Sequence, residues 1–139
     1  MRVCGVDIKS KEAIVVICEP SSGAANVVEA STKRIKLDDG ADGPALKSMK
    51  MAIDSYLHEQ NIDVVVIKER ATGAMGASGV TFKIEALFQM SHNDVVLVHG
   101  NTLRKFTKKN VAGAPAGLNA YQKDAFTSAA WLLNEKGLL

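Results

Sequence analysis

Two runs in this chain are apolar at every position and have the length of strands: Ala13-Ile14-Val15-Val16-Ile17-Cys18 and Val64-Val65-Val66-Ile67. β-Branched residues dominate both. A strand that is apolar on both faces must lie inside a sheet that is itself covered on both sides. The chain is therefore bound to a layered α/β arrangement, and the segments around these runs must supply the covering helices.

The flanking patterns fit that requirement. Residues 2 to 8 alternate, with Cys4, Val6 and Ile8 on one face and Val3, Gly5 and Asp7 on the other, which predicts a first strand. A turn at Pro20-Ser21-Ser22-Gly23 leads to a third strand from about Asn26 to Leu37. Links this short predict an antiparallel meander. The loop 38–44 carries acids and a proline, the signature of a helix start. Leu46, Met49, Ile53, Tyr56 and Leu57 then recur at helical spacing. The strand 62–68 follows, so strand, helix and strand form a crossover. A second helix is predicted from about Val80 to Met90, a fifth strand at Val95–Val98 and a short helix at Thr102–Lys109. Asn119 and Gln122 have the spacing of a capping box for the last helix, which Gly137 ends. The order is three strands, helix, strand, helix, strand, helix.

Length and composition narrow the class. The 139 residues make one domain, residues 1–139, and 47% apolar residues suffice for a core. No apolar run approaches a bilayer's thickness, and the N-terminus enters a strand pattern directly, so a cytoplasmic protein with no membrane partner is expected. Cys4 and Cys18 fall inside strand patterns and read as buried free thiols rather than a cross-strand disulfide. A net charge of +2 permits nucleic-acid binding without demanding it, and 5% aromatic residues supply few stacking platforms.

Three carboxylates mark the candidate site. Asp7 closes the first strand, Glu69 closes Val64-Val65-Val66-Ile67-Lys68-Glu69, and Asp124 opens the last helix. Parallel strands gather their C-terminal ends on one sheet edge, where sites collect. Carboxylates crowded there repel unless a cation joins them, and hard oxygen donors suit Mg²⁺ or Mn²⁺. The plainer reading is two solvated strand ends and one acid at the positive end of a helix dipole. His99, at the end of the fifth strand, is a candidate proton shuttle or a structural residue. Arg70, Arg104, Lys105, Lys108 and Lys123 are candidate phosphate contacts, or a solvated face. Lys9 and Ser10 follow Asp7 and read as a phosphate contact or a turn. Gly73, Gly76 and Gly79 read as room for a nucleic-acid backbone or as a flexible turn.

In order and in motif, the chain resembles the RuvC-type Holliday-junction resolvases of the ribonuclease-H-like superfamily, and it is similar to a small uncharacterised bacterial group there. Gly5-Val6-Asp7 matches the family's first-strand motif. Val66-Ile67-Lys68-Glu69 matches the strand ending in its glutamate, and Asp124-Ala125-Phe126-Thr127-Ser128-Ala129-Ala130 matches its final helix. The departures are Ile8-Lys9-Ser10 in place of a Gly-containing turn, and Tyr121 where the family keeps a second helix acid. The resemblance implies a five-stranded mixed sheet of order 3-2-1-4-5 with helices on both faces. It implies a nuclease that hydrolyses DNA or RNA with Mg²⁺ or Mn²⁺ held by Asp7, Glu69 and Asp124. A non-catalytic module binding nucleic acid or protein, and a nucleotide-phosphate binder of the sugar-kinase type, stay open. The helix 80–90 shows two apolar arcs, Val80, Ile84, Leu87 and Phe88 against Phe82, Ala86 and Met90. The second arc needs the last helix or a partner subunit, so a homodimer through this helix is expected.

Overall fold

The computed structural model describes residues 1–69, 79–109, 115 and 117–139. Arg70, Gly73 and Gly76 lie outside the described residues. Among those described, six strands and four α-helices form a three-layer α/β unit: β1 Val3–Lys9, β2 Glu12–Ser21, β3 Ala24–Val28, β4 Arg34–Lys36, α1 Gly43–Glu59, β5 Val64–Lys68, α2 Gly79–Gln89, β6 Asp94–Val98, α3 Gly100–Lys109 and α4 Lys123–Glu135. No helix among them is long and apolar enough to cross a membrane.

The sheet order is β3-β2-β1-β5-β6, with β4 also paired to β2. β1 and β2 form an antiparallel hairpin whose register runs from Val3 opposite Cys18 to Lys9 opposite Glu12. Ser10, at φ 54°, turns that hairpin. β1, β5 and β6 are parallel, with Val6 beside Ile67 and Lys68 beside Val98. The two fully apolar runs therefore flank the central strand, as their composition requires.

The expected count of five strands, order 3-2-1-4-5, is corrected to six. The segment read as one third strand is two. β3 pairs with the far half of β2, Ile17 to Ser21, and β4 pairs with the near half, Glu12 to Ile14. Between them the edge leaves the ladder, with the Val15 N–H donating to the Lys33 carbonyl at 3.1 Å. β2 is ten residues long, and a twisted edge follows so long a strand more easily in two pieces.

Helices cover both faces. Cys4, Val6, Ile8, Val15, Ile17, Val65 and Ile67 pack under α1 and α2, against Met49, Ile53, Leu57, Ile84 and Phe88. Val3, Ile14, Val16, Cys18, Val66 and Val98 pack under α3 and α4, against Leu103, Phe106, Phe126, Ala129 and Leu133. Both cysteines are buried and free. They belong to opposite faces of the sheet, which explains why they do not pair. α1 starts where its sequence predicts, with the Asp42 carboxylate accepting from the Ala45 N–H at 3.1 Å.

One close approach positions the rest. A methyl group on Gly5 would lie 1.8 Å from the Ala125 carbonyl oxygen, so the backbone of α4 rests directly on β1. Asp7 is two residues beyond Gly5 on the same strand face, and Asp124 is the residue before Ala125. The fold thereby ties the two acids to one contact.

Candidate carboxylate site at the sheet edge

Asp7 is completely buried, on the α4 side of the sheet. The Lys9 ammonium lies 3.5 Å from its Oδ2, the two side chains sharing that face two residues apart. Asp7 also lies in a cross-strand row. It is opposite Ile14 of β2, and Ile14 is opposite Arg34 of β4. Arg34 in turn stacks over the Tyr121 ring at 4.1 Å. Tyr121 belongs to a short 3₁₀ turn, Ala120–Gln122, ahead of α4. The Gln122 side chain accepts from the Asn119 N–H at 3.1 Å, so the predicted capping-box pair serves this turn.

Asp124 stands half-exposed in the first turn of α4, and its Oδ2 accepts from the Lys68 ammonium at 2.9 Å. Lys68 ends β5. Continuing the β1–β5 register one step beyond Val6 and Ile67 brings Lys68 beside Asp7 on the α4 side. Strand alternation sends the next residue, Glu69, to the other side. Its N–H donates to the Val98 carbonyl at 2.8 Å, and its side chain is exposed. There it acts on Glu85 of α2. Burial, and secondly the charge of Glu69, push the Glu85 carboxyl above its ordinary range. Asp7, Lys68 and Asp124 are thus on one face, with Glu69 and Glu85 on the opposite face of the same sheet end. Among the described residues, no three His, Cys, Asp or Glu side chains are arranged to hold one metal ion.

His99 follows β6 and is level with Glu69 at the same edge. It caps α3: its carbonyl accepts from Thr102 at 3.0 Å, and its Nδ1 accepts from the Asn101 N–H at 3.0 Å. An accepting Nδ1 carries no proton, which leaves Nε2 as the ring's donor. Arg104, Lys105 and Lys108 are exposed on α3, opposite its buried Leu103 and Phe106. Lys123 is exposed beside Asp124. Of the two arcs on α2, Ile84, Leu87 and Phe88 are buried, while Phe82 and Met90 are 41% and 68% exposed.

Sequence reading missed Lys68, Arg34 and Glu85. Lys68 becomes visible only when β5 is set in register against Asp7. Glu85 carried a signal, lying one helical turn after Thr81 on the flank of the Ile84–Phe88 arc.

A family model described as "Protein of unknown function (DUF3010)" matches residues 1–132. No curated protein matches the sequence. Among solved structures, RuvC of Thermus thermophilus superimposes with a TM-score of 0.72 at 11% identity, covering 99% of this chain and 98% of that one. The same organism's RuvC in complex with Holliday junction substrate gives 0.71 at 11% identity, over 99% and 98%. The fowlpox virus Holliday junction resolvase gives 0.51 at 16% identity over 100% of both chains. At such identities the likeness shows the fold, which is RuvC-like and so ribonuclease-H-like.

Proposed function

The chain belongs to the DUF3010 family, and from its own geometry we propose that it is a divalent-metal-dependent nuclease of the RuvC type, one domain that hydrolyses phosphodiester bonds in DNA or RNA. Asp7 carries the reading. A completely buried carboxylate lies two residues before the end of the central strand, on the face that α4 covers. A solvated strand end would not be buried, and a buried carboxylate calls for cations or hydrogen bonds around it; Lys9 supplies one cation at 3.5 Å, and a divalent ion would be a second.

Asp7 and Asp124 offer hard oxygens on one face, and one or two carboxylates completed by substrate phosphate and water suit Mg²⁺ or Mn²⁺; Glu69, on the other face of the same sheet end, would join them only by turning across the strand end. When bound, the ion would supply an activated water and stabilise the leaving oxygen. The chain's own part is to hold these carboxylates against the Gly5–Ala125 contact and to keep a proton on Nε2 of His99. Arg104, Lys105, Lys108 and Lys123 would meet phosphates, joined by Arg70. Two observations support the partners. The resolvases that share this fold act on branched DNA by their own descriptions, and the exposed row Phe82, Ala86 and Met90 suits a second copy of this chain.

Manganese calorimetry tests the reading. The wild type should bind Mn²⁺ and Asp7→Asn should not, with unchanged circular dichroism. A folded wild type that takes up no Mn²⁺ refutes it. One observation favours a second reading, a non-catalytic nucleic-acid-binding module. Lys68 already neutralises Asp124 at 2.9 Å, which is what an eroded metal site would look like. That reading predicts nucleic-acid binding with no manganese heat.

A further inference from the structure

Lys68 is the site residue that the metal reading leaves unexplained. It is the last residue of β5, one step beyond the Val6–Ile67 pair, and strand alternation puts it on the face that Asp7 takes. Its ammonium lies 2.9 Å from Asp124 Oδ2. Its stem runs close to the start of α3, where a methyl group on Gly100 would lie 3.7 Å from Lys68 Cε. Its side chain is 27% exposed, so the ammonium can swing to solvent without crossing the core. A structural ion pair would serve as well anywhere on the surface. This one spans from β5, paired with the strand that carries Asp7, to the helix that carries Asp124.

We propose that Lys68 is an internal counter-cation of the carboxylate site: a divalent cation must displace it from Asp124, and the freed ammonium then takes a nucleic-acid phosphate. The proposal rests on the metal reading above. Two cations cannot share one carboxylate oxygen without repulsion, so the ion pair lowers the site's affinity for metal. Without metal, the ammonium keeps Asp124 from repelling nucleic acid. Once displaced, Lys68 is a flexible point charge with three donors at the sheet edge, a form suited to phosphate. Phosphate binding removes the competitor for Asp124, and metal binding releases the ligand for phosphate. Each therefore tightens the other by the same factor, as linkage requires.

The test is Mn²⁺ calorimetry on the wild type, Lys68→Met, Lys68→Arg and Lys68→Gln, each alone and with a saturating cleavage-resistant four-way DNA junction. Lys68→Met keeps the stem and loses the charge; Lys68→Gln substitutes for it if the methionine variant does not fold. The neutral variants should bind Mn²⁺ about tenfold more tightly than the wild type when DNA is absent. Lys68→Arg should behave as the wild type. DNA should tighten Mn²⁺ binding to the wild type and leave the neutral variants nearly unmoved. Neutral variants that bind Mn²⁺ no more tightly than the wild type overturn the role of Lys68 and leave the metal reading standing. Absence of manganese heat in every protein overturns both.

Discussion

Replacing Gly5 by alanine tests the contact on which the site depends. The added methyl would meet the Ala125 carbonyl oxygen at 1.8 Å, its carbon at 2.8 Å and the Ala129 nitrogen at 3.1 Å. All three atoms are backbone, so no side chain can swing aside. Ordinary contact begins near 3.4 Å, so strand and helix must separate by roughly 1.6 Å at this point. α4 contributes Ala125, Phe126, Ala129, Ala130, Leu132 and Leu133 to the core, and separation loosens all of them. Overpacking costs about 1–3 kcal/mol where side chains can yield. A backbone clash belongs at or above the top of that range, and about 3 kcal/mol is a large share of a typical 5–15 kcal/mol. Thermal unfolding followed by Trp131 fluorescence on α4 should show a midpoint lowered by about 10 °C. Gly43→Ala is the control, because nothing lies within 4 Å of its added methyl, and it should lose no stability. A Gly5→Ala protein within 1 °C of wild type would refute the direct seating of α4 on β1, and with it the positioning of Asp124.

Other outcomes follow from single features. Burial raises the Cys18 thiol to about 12 and that of Cys4 well above its usual range, so neither should react with a thiol reagent at pH 8 until the protein unfolds. Burial first, and the Glu69 charge second, raise Glu85 above its unfolded range, so the folded protein binds that proton more tightly than the unfolded one. Glu85 therefore costs stability above its folded pKa and nothing below its unfolded value of 4.5. Glu85→Gln should raise the unfolding temperature at pH 7, with the gain vanishing as the pH falls to about 4. Light scattering should give a dimer mass at tens of micromolar, and Phe82→Lys should give a monomer, since a charge in the Phe82–Met90 row has no partner across an apolar interface.

What could be read from the sequence depended on whether a feature was local. The fully apolar runs told their own positions, because burial on both faces is written into every residue of β2 and β5. Asp7 was legible because alternation in β1 needs no partner to be seen, and Asp42, Asn119, Gln122 and Gly137 announced helix ends through chemistry within one turn. The split of the edge into β3 and β4 was not legible. Glu29-Ala30-Ser31-Thr32-Lys33 contains no glycine, proline or asparagine, and the break arises from matching a long twisted neighbour. The division of the acids between the two sheet faces was hidden for a similar reason. Asp7 lies two residues short of the end of β1 and Glu69 just past the end of β5, but which face Lys68 and Glu69 take is settled by register across the two strands. Arg34 joined the site only through two successive cross-strand pairings.

The central claim is that Asp7 belongs to a metal-dependent hydrolytic site. Its most direct test is cleavage of a four-way DNA junction, plain duplex and RNA–DNA hybrid by the wild type and by Asp7→Asn, in Mn²⁺ and in chelator. The wild type should cut at least one substrate in Mn²⁺ and none in chelator. Asp7→Asn, folded as judged by circular dichroism, should cut none. Equal cutting by both proteins, or no cutting by the wild type on any substrate, would contradict it.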